Sequence, residues 1–388
     1  MTTSIGDDRH TIRDPDPAMT GLLVAVVLLT CLGTLAVQSS SITTRSPDFD
    51  PIFLSRHLIN VALGVVLAAA ASQVRPAFYS RTAWWMFFGT AAMLLLVAAS
   101  PLGVSAGGAT RWLRLPGFMM QPSEWAKLAI PILAARILSG RAHLLDQAVL
   151  FGSVGLMLLL VLRQPDLGTT ILLAGGLGLA LVLGGWSWRR LIAIAAASIA
   201  GLGLLTLRGY QLRRIEGLLA TWHDWRNAPY QLRQSLIAFG EGGVEGVGLG
   251  RGWQKLSFLP EGHTDFVIAV IAEETGLIGV TLLTACWLTV LACGVRLLSR
   301  FPAESFRVIL GGTLLCQVVG QAALNVAVVT AVIPPTGIPH PLLSYGGNSF
   351  LVTMISFGLI VSCTRSAVPA DTRVTDAGGI HLASTRVA

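Results

Sequence analysis

Ten apolar segments, eight of them close to the roughly 20 residues that cross a bilayer as a helix and the eighth and ninth long enough to be tilted, broken or projecting, constrain this chain before any motif is considered. They lie near residues 19–39, 53–72, 82–99, 121–139, 145–162, 167–185, 189–207, 264–297, 304–333 and 343–364. Hydrocarbon offers no water to bond backbone N–H and C=O groups, so such segments must satisfy them internally as helices. Only 12% of the 388 residues are charged and 53% are hydrophobic, against about a quarter charged in soluble domains. The expected fold class is an all-α polytopic membrane protein of about ten transmembrane helices.

Basic residues in short loops set the expected orientation. Arg75 and Arg81 follow the second segment, Arg136 and Arg141 the fourth, Arg189 and Arg190 the sixth, Arg296 and Arg300 the eighth, and Arg365 the tenth. Those connections read as cytoplasmic, and with them both termini. The opposite connections are leaner, although Arg45, Arg111, Arg114 and Arg163 fall there. A single membrane domain, 19–365, is thus expected between polar cytoplasmic tails at 1–18 and 366–388, of which the first lacks the apolar core of a signal peptide. The net charge of +7 comes from 27 Lys and Arg scattered in ones and twos, a distribution that fits topology and argues against a nucleic-acid partner. Five cysteines lie inside apolar stretches without paired or metal-type spacing.

One connection is long, the outer loop 208–263 between the seventh and eighth helices. Within it Leu212, Ile215, Leu218, Leu219 and Trp222 recur at helical spacing with Arg213 and Arg214 off the stripe, the pattern of an amphipathic helix lying at the interface. Further on, Gly240 to Gly252 contains seven further residues of glycine or acid type around Arg251 and is followed by Lys255. It is no P-loop, since no Gly-Lys-Ser/Thr follows. It reads as a flexible re-entrant hairpin, or as a set of backbone amides able to hold an anionic headgroup with Arg251 and Lys255.

Four short polar motifs fall on the outer side of this topology: Gln121-Pro-Ser-Glu-Trp-Ala-Lys127, Arg163-Gln-Pro-Asp-Leu-Gly-Thr169, Pro260-Glu-Gly-His-Thr-Asp-Phe266 and Pro341-Leu-Leu-Ser-Tyr-Gly-Gly347. Pro122 suits a first helical turn, and Glu124 complements the positive end of the dipole. Lys127, three residues on, shares its face and can pair with it, tune an acid or grip a phosphate. Asp265 falls at the start of the eighth helix, with Thr264 as a cap and Glu261 and His263 as company. Such grouped carboxylates and a lysine are what tunes a general base. Glu273 and Glu274 lie about 12 Å farther along an ideal helix, near mid-depth, and Gly276 suggests a break there. Arg163 reads as a snorkelling cation, and His340 as polar loop surface.

In this order and on ten helices, the motifs resemble the SEDS family of RodA, FtsW and SpoVE over residues 19–365. The Phe258-Leu-Pro-Glu261 and Thr336-Gly-Ile-Pro339 stretches are more RodA-like than FtsW-like, while Trp222 to Pro229 and Asn348 depart from the usual pattern. The resemblance implies a multi-pass protein of the bacterial cytoplasmic membrane that polymerises lipid II into glycan, for elongation or division, beside a class B penicillin-binding protein. It implies that Asp265 is the essential aspartate, that Glu124 and Lys127 form the catalytic pair with it, and that Arg111-Trp112 is functional. Substrate contacts are expected from Arg111, Trp112, Glu261, His263, Arg251, Lys255, Ser344 and Tyr345. The substrates implied are lipid II and the undecaprenyl-pyrophosphate-linked glycan, with a divalent cation, Mg or Mn, as an alternative way for Asp265 to activate the acceptor. The rival functions are a lipid II flippase and a non-catalytic scaffold.

Overall fold

The computed structural model describes residues 16–40, 51–106, 109–116, 118–140, 143–206, 209–259 and 262–365. Residues 1–15 and 366–388 of the polar tails, and Glu261, lie outside these. Ten helices stand where the apolar segments predict them: α1 (Pro17–Ser40), α2 (Pro51–Gln73), α3 (Pro76–Ala99), α4 (Pro122–Leu138), α5 (Leu144–Arg163), α6 (Leu167–Leu183), α7 (Trp188–Thr206), α10 (Val267–Leu298), α11 (Phe306–Val329) and α12 (Gly347–Thr364). Two more, α8 (Gly209–His223) and α9 (Tyr230–Gly242), fold within the long loop. Among the described residues, seven helices are long and apolar enough to cross a membrane unaided. The two 17-residue helices, α4 and α6, rise only about 25 Å and sit within the bundle; α4 is buried along nearly its whole length.

Lipid-facing surface and polar interior are distributed as a bilayer requires. Large apolar side chains such as Val27, Ile59, Phe88, Leu159 and Leu288 are exposed, whereas hydroxyls along the helices return their proton to the preceding turn, as Thr90 does to Met86 O and Ser356 to Val352 O, each at 2.8 Å. Helices α2 and α12 form the most extensive pair. Gly358 permits it, because a Cβ there would stand 2.4 Å from the carbonyl oxygen of Ala68.

The two ends of the bundle differ in chemistry. At one end Arg300 pairs with Asp16, Arg307 donates to Arg365 O, Arg365 to Gln73 Oε1 at 2.6 Å, and Arg136 to Ser80 O. The start of α1 and the end of α12 are therefore on the same side, with the basic residues that mark it cytoplasmic. All four polar motifs are at helix ends on the opposite side.

Three features go beyond the helical expectation. Residues between α3 and α4 form a small antiparallel sheet, β1 (Gly103–Ala106), β2 (Ala109–Leu115) and β3 (Phe118–Met120), with Val104 opposite Trp112 and Arg114 opposite Met119. Helix α9 is packed rather than loose: Leu232, Ser235 and Ala238 are buried and Ser235 donates to Val329 O at 2.7 Å. Helix α10 starts at Val267 with Phe266 at its N-cap, so Asp265 occupies the turn before the helix instead of its first turn, and Thr264 is not the cap.

Candidate active site

Helix α4 opens with Pro122 at its first position and brings Glu124 and Lys127 onto one face, Oε2 to Nζ at 2.5 Å. Both are nearly buried, and the helix N-terminus adds to the stability of the carboxylate. Lys127 Nζ also donates to Gln321 Oε1 of α11 at 3.0 Å. The other end of that amide, Nε2, donates to Pro339 O at 2.8 Å in the loop joining α11 to α12.

The same loop holds the third motif. Asn325 Nδ2 donates both to Asp265 O at 2.8 Å and to Ile338 O at 2.9 Å. Ser344 Oγ accepts from His340 N at 2.8 Å and donates to Thr264 O at 2.6 Å, and Tyr345 N donates to His263 O at 2.8 Å. The His263 and Tyr345 rings lie 6.1 Å apart. The Asp265 carboxylate, half-buried, comes to 3.6 Å from where a Cβ on Gly337 would stand. His340 itself is enclosed, edge-on to Trp287 at 5.6 Å, and burial pushes its imidazole down to about 4. It is a core group rather than loop surface.

The second motif supplies framework. Asp166 caps α6 by accepting from Thr169 N at 3.2 Å. Just before it, the carbonyls of Gln164 and Pro165 receive the Arg111 guanidinium at 3.1 and 2.5 Å, which ties β2 to the start of α6. A cavity of about 340 Å³ opens there, lined by Leu167, Ile171, Ile215, Leu324, Pro335 and Ile338 with Arg111 and Arg214 at its polar edge. Its wall includes Thr336 and Ile338, on either side of the Gly337 that faces Asp265.

Of the residues singled out from sequence, the structure brings Glu124, Lys127, Asp265, His263, Ser344 and Tyr345 into one hydrogen-bonded assembly, with Arg111 at the adjoining cavity. Trp112, half-buried, stands next to Arg111 on β2. Arg251 and Lys255 belong elsewhere. The glycine-rich stretch packs against α10 where that helix breaks at Gly276, φ 64° and ψ −162°. Val247 N and Gly248 N donate to the carbonyls of Glu273 and Glu274, each at 3.0 Å, and Leu277 N returns to Gly243 O at 3.0 Å. Trp253 N and Gln254 N bind the Glu273 carboxylate at 2.7 and 3.2 Å. The stretch is thus neither a loose hairpin nor an open cradle, since these amides are spent on α10. Lys255 is buried against Glu274 Oε1 at 2.7 Å and Ser39 Oγ at 2.8 Å, and Arg251 is exposed on the loop.

Gln317, Gln321 and Asn325 were not evident as site residues. Their signal was three amides at four-residue intervals on one face of an otherwise apolar helix.

Sequence and fold comparisons identify the family. The FtsW, RodA and SpoVE family, described as cell cycle proteins, matches residues 19–368. A probable peptidoglycan glycosyltransferase FtsW of Geobacter metallireducens is 36% identical over 88% of this chain and 93% of its own length. The peptidoglycan glycosyltransferase MrdB of Escherichia coli K12 is 35% identical over 89% and 92%. Among solved structures, a chain of a peptidoglycan synthase complex that coordinates polymerization and crosslinking superposes with a TM-score of 0.73 at 26% identity, covering 89% of this chain and 97% of that one. The rod shape determining protein RodA of Thermus thermophilus gives 0.65 at 26% identity, over 89% and 95%. The chain is a multi-pass membrane protein that belongs to the FtsW, RodA and SpoVE family, the SEDS family.

Proposed function

We propose that this chain is a peptidoglycan glycosyltransferase that polymerises lipid II at the outer face of the cytoplasmic membrane. The observation that carries the reading is the assembly of three motif ends around a half-buried Asp265, beside an apolar cavity edged by Arg111 and Arg214. An apolar cavity with convergent cations suits a lipid-linked diphosphate. Its location away from the basic, cytoplasmic end of the bundle suits a substrate presented on the outer leaflet.

Asp265 acts as the general base. Its carboxylate takes the proton from the 4-hydroxyl of the acceptor sugar as that oxygen attacks the anomeric carbon of the growing chain. One C–O bond forms, the bond to undecaprenyl pyrophosphate breaks, and the configuration inverts because a single displacement occurs. The diphosphate leaves already ionised, so no second carboxylate is needed to protonate it. Lys127 and Arg111 supply positive charge for the negative charge that builds on the leaving group. His263, Ser344 and Tyr345 hold the Asp265 turn and the neighbouring loop in register.

Among the described residues no three His, Cys, Asp or Glu side chains gather into a metal cage. Asp265 would hold a divalent cation such as Mg or Mn where that ion, rather than the carboxylate alone, activates the acceptor hydroxyl; the steps above use the protein's own groups. The partner we propose is a class B penicillin-binding protein, which would crosslink the emerging glycan. Support comes from the similar fold of a chain in a complex that coordinates polymerization and crosslinking. The flippase reading needs a polar path through the bundle, and Glu273 and Glu274 are instead occupied by backbone amides, Lys255 and Ser39.

The test is glycan synthesis from lipid II by the purified chain with its cognate penicillin-binding protein, crosslinking blocked by a β-lactam. Polymer is expected. Transbilayer movement of lipid II in vesicles without polymer would replace this reading by the flippase.

A further inference from the structure

The amides of α11 are an expensive choice in an apolar helix. Gln317, Gln321 and Asn325 are all buried, and each buried polar atom left without a partner costs about 1–3 kcal/mol. Spaced four residues apart, they share one helix face. That face touches both chemical halves of the site. Gln317 Nε2 donates to the backbone carbonyl of Lys127 at 3.0 Å. Gln321 takes the Lys127 ammonium at one end and Pro339 O at the other. Asn325 holds Asp265 O and Ile338 O with a single NH2 group. Ile338 and Pro339 are consecutive, so an unbroken path runs from Lys127 through Gln321, the loop and Asn325 to Asp265.

We propose that Gln321 and Asn325 are positioning residues, which set the placement of the Lys127 ammonium relative to the Asp265 turn by holding both on one rigid helix face. The inference rests on the glycosyltransferase reading. Lys127 has Glu124 three residues before it as a competing partner, and Gln321 draws the ammonium towards the loop. A neutral acceptor is suited to this. A second carboxylate at the same position would hold the lysine equally well but oppose an anionic diphosphate arriving beside it. The amide also supplies the donor for Pro339 O, which a carboxylate lacks.

Two substitutions separate these roles. Gln321→Met keeps the volume and removes both hydrogen bonds, so the lysine and the loop lose their common anchor. Gln321→Glu keeps the acceptor for Lys127, adds charge and loses only the donor to Pro339 O. In the complex of this chain with its penicillin-binding protein, with crosslinking blocked, initial rates of glycan synthesis against lipid II concentration should show kcat reduced at least about tenfold in Gln321→Met with KM nearly unchanged. Gln321→Glu should raise KM by about tenfold or more while kcat falls less. Asn325→Leu should resemble Gln321→Met. Thermal unfolding of each complex separates misplacement from loss of fold, and if Gln321→Met does not assemble, the KM of Gln321→Glu decides alone. Kinetic constants within about twofold of wild type in these variants, or rate losses that follow the unfolded fraction, would overturn the proposal. Wild type and Asp265→Asn forming no glycan alike would instead sink the glycosyltransferase reading on which it stands.

Discussion

Lys127 with Glu124 and Lys255 with Glu274 are ion pairs of similar length, 2.5 and 2.7 Å, and no side chain in either is more than 5% exposed. Their surroundings differ. The first pair lies within one helix, at an N-terminus that already favours the carboxylate, and its lysine is tied through Gln321 to the loop between α11 and α12, which carries the Pro341 to Gly347 motif. The second joins three separate parts of the chain. Lys255 follows α9, Glu274 lies in α10, and Ser39 at the end of α1 donates to the same Glu274 oxygen at 2.5 Å. Every group in that triangle is turned towards another part of the fold. Burial and pairing are thus common to both clusters, and what distinguishes them is that the first is linked through Gln321 to the loop beside Asp265, whereas the second closes on its own members.

The largest effect should come from dividing the structural pair. Lys255→Met leaves Glu274 charged and enclosed, and a broken buried pair costs about 3–5 kcal/mol. Thermal unfolding in detergent should show a large fall, and adding Glu274→Gln should recover much of it. If Lys255→Met kept its unfolding temperature and lost glycan synthesis, the contrast would fail and Lys255 would belong to the site.

A comparable effect is expected at His340, the uncharged counterpart in the site loop. Burial holds its folded pKa at about 4, below the ordinary value near 6.5. The unfolded chain therefore binds more protons between those values, and stability falls as pH drops from about 6.5 to 4, by roughly 3 kcal/mol over the window. His340→Gln should flatten this slope in melts taken across that range. An unchanged slope would show that other groups set it.

Next is the comparison of the two pairs as neutral units. Glu124→Gln with Lys127→Met removes a pair without orphaning a charge, so the unfolding temperature should move little. Glycan synthesis should fall at least about 100-fold, or roughly 2.7 kcal/mol in the barrier. The matching replacement of Glu274 and Lys255 should spare most of the activity. Equal losses from both would mean that the site extends to the break in α10.

The sequence made the bundle legible because membrane helices announce themselves by length and apolarity, and the basic residues at 75, 81, 136, 300 and 365 ordered their ends. Glu124 and Lys127 were legible through i,i+3 spacing, and the break at Gly276 through its glycine following two acids. Other contacts depend on elements far apart in the chain. Lys255 and Ser39 are 216 residues apart, and no local pattern distinguishes a lysine seeking a phosphate from one seeking Glu274. The small sheet was hidden by proximity to apolar helices, although Gly107-Gly108 between β1 and β2 is a hairpin signal. The turn position of Asp265 was hidden because Thr264 looks like a cap, while the backbone there is fixed by Asn325 and Ser344.

The most direct test of the account replaces the base alone. Asp265→Asn preserves the size and the backbone contacts of the turn but removes the proton acceptor. In the assembled complex, under a β-lactam that blocks crosslinking, lipid II should be polymerised by the wild type and at least about 1000-fold more slowly by the variant, a loss near 4 kcal/mol. Undiminished glycan from Asp265→Asn would contradict the central claim and remove Asp265 from the chemistry.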